Sequence, residues 1–139
     1  MSGNITFTMI KPQAVADGNM GKIIDKIIEG GFNIKALKLT RLTKEQASKF
    51  YAIHKERPFY SSLVNFMTSG PIIAAILEKE DAVLAYRSFI GSTNPDDAEP
   101  GTIRALFATS MEKNAVHGSD SDENAIIEGD FFFSEFEKF

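Results

Sequence analysis

The chain of 139 residues contains no cysteine. That absence excludes disulfide bonds, thiol nucleophiles and cysteine-ligated metals. Histidine is almost as scarce: His54 and His117 are the two present, and they form neither an HxH nor an HExxH pattern. Two isolated histidines do not make a zinc site. No stretch approaches the roughly 18 apolar residues of a membrane-spanning helix. The N-terminus also lacks a basic region followed by an apolar run and a small-residue cleavage site, so cytoplasm is the expected location. Walker-type GxxxxGK[ST], the kinase glycine-rich loop and GxGxxG are all missing. A protein of this kind that handles phosphates must hold them with side chains rather than with a backbone cradle. Repeats, low-complexity tracts and linkers are absent too, which predicts one domain over residues 1–139.

What is present reads as an ordinary globular chain. Hydrophobic residues make up 43% and charged residues 24%, enough to build a core without covalent staples. The net charge of −4 argues against nonspecific nucleic-acid binding, and nucleic acid is not an expected partner. Acid is concentrated at one end: residues 120–139 hold seven acids against the single Lys138.

The run ITFTMI at 5–10 predicts a strand, and Pro12 and Gly18 break the pattern after it. From Met20, apolar residues at Ile23, Ile24, Ile27 and Ile28 recur at helical spacing until Gly30–Gly31 stops them. A second strand is expected over 32–40, with a bulge near Leu37 where the alternation slips. TKEQ at 43–46 matches a capping box, opening a helix through about residue 53. Pro58 can open another, carrying Leu63, Val64, Phe66 and Met67. The apolar run IIAAIL at 72–77 predicts a buried strand, followed by a short helix over 80–89. Residues 90–104 read as a long ordered loop. A short strand at Ala115–Val116, a capped helix around 121–129 and the phenylalanine-rich tail complete the chain. The expected class is an α/β (α+β) sandwich, a ferredoxin-like βαββαβ antiparallel four-stranded sheet with added helices packed on one face.

His117 lies in NAVHGSDS, at the expected end of a short strand entering a turn. Such a histidine serves as nucleophile, base or phosphate acceptor, or simply bonds to backbone. Ser119 and Glu128 are near enough in sequence to fix one tautomer. The acids of SDSDE read as a helix N-terminus, where carboxylates cap free N–H groups. Lys11, Arg57, Arg87 and Arg104 are widely spaced cations that one pocket could gather around a triphosphate. Arg87 sits in the mostly apolar AYRSFIG, where an unpaired buried guanidinium would be costly. Tyr51 and Phe59 flank HKERP and offer either an aromatic face for a base or two core rings.

Taken together, these segments resemble the nucleoside diphosphate kinase family. NAVHGSDS at 114–121 is similar to its N-x-x-H-G-S-D-S signature, and MIKPQAV at 9–15, HKERPFY at 54–60, MTSGP at 67–71, RSFIGSTNP at 87–95 and PGTIRALF at 100–107 follow the family in order. The resemblance covers essentially the whole chain. It implies ping-pong transfer of the γ-phosphate of a nucleoside triphosphate to a nucleoside diphosphate, with broad tolerance of base and sugar. His117 would attack through Nδ1 and become phosphohistidine. Glu128 would orient the ring through its other nitrogen, and Ser119 would help position the ring or the phosphoryl group. Lys11, Arg87, Arg104 and Thr93 match phosphate-holding residues, and Arg57 matches a cation near them. Asn114 matches a contact to the ribose and phosphate region. Tyr51 matches the aromatic beside the histidine, while Phe59 and Leu63 match the residues against the base. Mg2+ is implied as a cofactor carried by the nucleotide, with no protein cage of its own. A homo-oligomer is implied, the hexamer preferred over the tetramer because Pro95 corresponds to the loop near the hexamer three-fold axis. The sequence departs from the family at Ser92 and Ile53, where acids are frequent. The alternative is a catalytically silent ferredoxin-like nucleotide-binding or regulatory module.

Overall fold

In the computed structural model, which describes residues 3–139, four strands form one antiparallel sheet in the order β2-β3-β1-β4. The strands are β1 (Ile5–Ile10), β2 (Asn33–Thr40), β3 (Ile72–Glu78) and β4 (Val116–Gly118). The helices, in chain order, are α1 (Pro12–Ala16), α2 (Met20–Glu29), α3 (Lys44–Phe50), α4 (Tyr60–Met67), α5 (Ala82–Ile90), α6 (Ile103–Phe107) and α7 (Asp122–Phe132). This is the ferredoxin-like arrangement, with α2 and α5 as the crossovers and the other helices added. No helix among the described residues is long and apolar enough to cross a membrane.

The central strands are buried on both faces, which explains why β3 reads as an unbroken apolar run. Its residues alternate between two cores. Ile72, Ala74 and Ile76 join Phe7 and Met9 of β1 under Ala47, Tyr51, Val64 and Met67 of the α3–α4 region. Ile73, Ala75 and Leu77 face Ile23 and Ile27 of α2, Tyr86 and Ile90 of α5 and Ile103 of α6. Helices therefore cover both faces of the sheet, not one as the element order suggested. Alternation inside an all-apolar strand is invisible to a polarity pattern, so the second layer had no sequence signal.

Local chemistry sets most element ends. Thr43 and Gln46 close the expected capping box at α3, and the Ser121 hydroxyl accepts from Asn124 N–H to cap α7. The β2 bulge falls between Ile34 and Ala36, slightly before the slip at Leu37. Two short helices were not anticipated. Pro12 opens α1, a single turn whose missing N–H is harmless at a helix start. Thr102 caps α6 at the end of the long loop by accepting from Ala105 N–H.

β4 is the part that matters most for chemistry. It pairs along β1 with His117 opposite Met9 and Gly118 opposite Thr8. His117 consequently points to the face covered by α3 and α7, its ring 6.0 Å from that of Phe7. Gly118 lies against α5, where an added Cβ would meet the Tyr86 ring at 3.1 Å. A side chain there would require the fully buried Tyr86 ring to give way by a few tenths of an ångström, so the position favours glycine.

Candidate active site

Just before β4, Ala115 adopts φ 72°, and Val116 N–H donates to Asn114 O at 2.9 Å. This is a γ-turn centred on a residue in the left-handed region, a strained geometry for a residue with a Cβ. Four successive carbonyls hold the turn and strand in place. Arg104 donates from Nε to Asn114 O and from Nη2 to Val116 O, at 3.3 and 2.9 Å. Lys11 N–H donates to Ala115 O at 2.8 Å, and Thr8 Oγ1 donates to His117 O at 2.7 Å. The Thr8 hydroxyl has one proton, already given to that carbonyl, so Tyr86 must donate the 2.7 Å bond between the two hydroxyls. Burial keeps the Tyr86 phenol protonated, well above its usual range.

The His117 ring is bound at one nitrogen. Nε2 lies 2.9 Å from Glu128 Oε1, and the same carboxylate oxygen accepts from Ser119 Oγ at 2.6 Å. Ser119 is fully buried behind this pair, and its oxygen also accepts from Phe7 N–H at 3.2 Å. The serine therefore touches the carboxylate rather than the ring. Phe50 closes the opposite side, its ring 5.9 Å from the imidazole and nearly perpendicular to it.

A cleft of about 520 Å³ opens in front of the histidine. It brings together Lys11, Tyr51, Phe59, Leu63, Arg87, Thr93, Arg104, Asn114, His117 and Glu128. An adjoining slot of about 360 Å³ shares Lys11, Phe59, Leu63 and Thr93 with it and adds Met111 and Glu112. Arg57 and Ser119 do not line the cleft. Arg57 is exposed in the turn before α4, its N–H bonded to His54 O at 2.8 Å. Arg87 is exposed as well, so the desolvation that its apolar sequence context threatened does not arise.

The cations are held under tension. Burial and the neighbouring Arg104 lower the Lys11 ammonium to about 8, although Glu112 opposes the shift. Burial pulls Arg104 down to about 10, and Arg87 adds to this against the opposing effect of Tyr86. A third Arg104 bond, from Nη1 to Gly91 O at 3.1 Å, leaves one free N–H on each terminal nitrogen. Tyr51 Oη and Asn114 Oδ1 are buried without a hydrogen-bond partner. Burial and the Glu128 charge hold the Tyr51 phenol far above its ordinary range, so it remains a donor.

The chain is matched over residues 4–138 by the family model described as "Nucleoside diphosphate kinase". It belongs to the nucleoside diphosphate kinase family. A relative of that name from Flavobacterium psychrophilum is 58% identical over the full length of both chains. One from Campylobacter jejuni is 57% identical over 92% of this chain and 93% of its own. The solved structure of the Aquifex aeolicus nucleoside diphosphate kinase superposes with a TM-score of 0.96 at 48% identity, covering 99% of this chain and all of that one. The protein is thus a nucleoside-diphosphate kinase, an enzyme that transfers phosphate through phosphohistidine, rather than a silent binding module.

Phe50, Asp120, Asn124 and Ile127 also line the cleft without a site role read from sequence, and Ile53, noted there as a departure from the family, joins them. Asp120 and Asn124 could have been found as an i, i+4 pair at the start of the capped helix. They are bonded, Asn124 Nδ2 to Asp120 Oδ1 at 2.7 Å. Ile127 carried no such signal.

Proposed function

We propose that His117 is the phosphorylated residue and that it attacks through Nδ1. His54 also borders the cleft, its ring 5.5 Å from that of Phe59, but it has no carboxylate partner among the described residues. The observation that carries the assignment is the chain from Ser119 through Glu128 to His117 Nε2. With Nε2–H donating to the carboxylate, Nδ1 keeps its lone pair. That nitrogen attacks the γ-phosphorus in line. The N–P bond forms as the bond from phosphorus to the bridging oxygen breaks, and the electron pair leaves with the nucleoside diphosphate. Glu128 balances the positive charge that the ring acquires. An incoming diphosphate then reverses the sequence and restores the neutral imidazole.

Lys11, Arg104, Arg87 and Thr93 hold the phosphates in this reading. Two of these cations sit below their ordinary pKa, so an arriving polyphosphate relieves their mutual repulsion. The two spare N–H groups of Arg104 suit bidentate contact with a phosphate. Asn114 Oδ1 and the Tyr51 phenol are buried and unbonded beside the cleft, so each would gain a partner if a nucleotide hydroxyl or phosphate reached it on binding. Phe59, nearly half exposed, stacks on the base with Leu63 behind it. Stacking reads a ring rather than an edge, so purines and pyrimidines are both accepted. Arg57 acts at longer range, near the rim.

Magnesium enters as part of the nucleoside triphosphate. The cleft is rich in cations, and its two carboxylates, Asp120 and Glu128, are each already hydrogen-bonded. That donor set fits an ion held by phosphate oxygens and water, with Asp120 the carboxylate available to its water shell. When bound, the ion neutralises charge on the transferring phosphates.

Self-association belongs to the same reading. β2 is a sheet edge, and Leu37 and Leu39 on it are exposed, as is Ile28 on the neighbouring α2. Phe139 N–H donates to Lys35 O on this edge at 2.7 Å, and the exposed leucines beyond it support packing against a second copy. We favour the hexamer over the tetramer because Pro95, the family's contact near the three-fold axis, starts an exposed turn at Pro95–Asp97.

The deciding experiment gives the enzyme γ-labelled magnesium ATP before any acceptor. Acid-labile, base-stable label should map to His117 and be discharged by GDP as GTP. His54→Gln should still take label and His117→Ala should not. Equal GTP formation by His117→Ala would refute the covalent route.

A further inference from the structure

A phosphohistidine that waits for a nucleotide must not lose its phosphate to water. The same cleft contains two features that bear on this. The first is the state of its carboxylates. Glu128 accepts bonds from His117 and Ser119 on one oxygen, and Asp120 is held by Asn124. Each carboxylate keeps its second oxygen without a bond among the described residues, so the carboxylates alone do not withhold a base from an attacking water. The second is a pair of apolar side chains where solvent meets the reacting centre. Ile53, 77% exposed, follows Tyr51 in the turn Ala52–His54, and Ile127, 59% exposed, immediately precedes Glu128 on α7. Both line the cleft with His117, although the rest of its wall is largely charged or aromatic. Exposed isoleucines in isolation need no explanation. Two of them on a phosphate-binding cleft, one on each flanking element, do.

We propose that Ile53 and Ile127 favour the nucleoside diphosphate over water as phosphoryl acceptor, by denying water a hydrogen-bonded foothold beside the phosphohistidine. The inference rests on the assignment of His117 above. In the reaction they suppress, a water oxygen attacks phosphorus and the P–N bond breaks. Inorganic phosphate leaves, and a proton from the water passes to solvent as the imidazole recovers its lone pair. An ordered water needs two or more polar partners. Isoleucine offers none, whereas glutamine of similar size offers both a donor and an acceptor. A nucleoside diphosphate brings its own base, sugar and phosphate contacts, so its attack does not depend on these two positions.

The test uses full-length phosphoenzyme, labelled with γ-labelled ATP, stripped of nucleotide and followed for release of inorganic phosphate. Wild type, Ile53→Gln, Ile127→Gln and the double Gln variant are compared with Ile53→Leu plus Ile127→Leu. The expected result is hydrolysis about tenfold faster in the double Gln variant, intermediate rates in the singles and a wild-type rate in the Leu pair. The ratio of hydrolysis to GDP discharge is the readout, because a general loss of structure would lower both. Both positions are exposed, and the single variants carry the test if the double variant takes no label. Gln variants that keep their label as long as wild type overturn the proposal, and equal acceleration in the Leu pair does so as well. A wild-type chain that takes no label at all overturns the His117 assignment itself, and this inference with it.

Discussion

Lys11 is a buried cation whose proposed purpose is its ligand, and its replacement by methionine tests what that burial costs the fold. Burial and Arg104 move its ammonium from 10.5 to about 8, which at roughly 1.4 kcal/mol per unit is about 3 kcal/mol against the folded state at neutral pH. Lys11→Met keeps a long apolar stem and removes the charge. The variant should therefore be more stable than wild type by about 3 kcal/mol at pH 7, or roughly 10 °C in melting temperature. The pH dependence follows from the sign of the shift. Between the folded value near 8 and the unfolded 10.5, the unfolded chain binds the proton and the native chain does not. Wild-type stability attributable to Lys11 rises with pH in that window. The advantage of Lys11→Met should accordingly fall to about 2 kcal/mol at pH 9 and nearly vanish by about pH 10.5. Urea unfolding followed by circular dichroism, at one fixed protomer concentration, gives both numbers. The same variant should lose about 100-fold or more in kcat/KM. A variant no more stable than wild type at pH 7, or one whose advantage is flat with pH, would refute the account of a strained cation.

Three further outcomes are expected. Ser119→Ala removes the buried donor to Glu128 and should cost about 1–3 kcal/mol in urea unfolding, while kcat falls about tenfold with little change in nucleotide KM. Arg104→Lys cannot span three carbonyls and a phosphate at once, and kcat/KM should fall at least about 100-fold in steady-state assays. Leu39→Glu places a carboxylate among the exposed leucines of the β2 edge, and light scattering should report a smaller assembly with unchanged circular dichroism.

The parts of the fold legible in the sequence were those with a local cause. The capping box at Thr43, the helical spacing from Met20 and the glycine pair after it all mark real boundaries. Strand β3 was recognisable from length and β-branching, but its two faces were not, since Ile72–Ile73 and Ala74–Ala75 put like residues on opposite sides. The short helices α1 and α6 have too few residues to develop a period. In the cleft, chemically distinctive residues such as His117, Lys11 and Arg104 could be picked out by type. Their partners could not: nothing local says that Ser119 meets Glu128, or that Arg104 spends three donors on carbonyls before a ligand arrives. Arg87 misled in the opposite direction, because an apolar sequence neighbourhood in a helix says little about which side faces water.

The turn and strand from Asn114 to His117 surrender their four carbonyls to just three residues, Thr8, Lys11 and Arg104. Those partners come from β1, from the residue after it and from α6, well removed along the chain. The octapeptide at 114–121 is therefore not portable. Grafted onto another four-stranded scaffold without those three partners, it would relax out of its left-handed γ-turn, and the imidazole would lose its aim. A transplant would have to carry Arg104 with it, because the guanidinium proposed to grip phosphate is also the one that braces the nucleophile's turn, whereas Lys11 braces it with its backbone N–H.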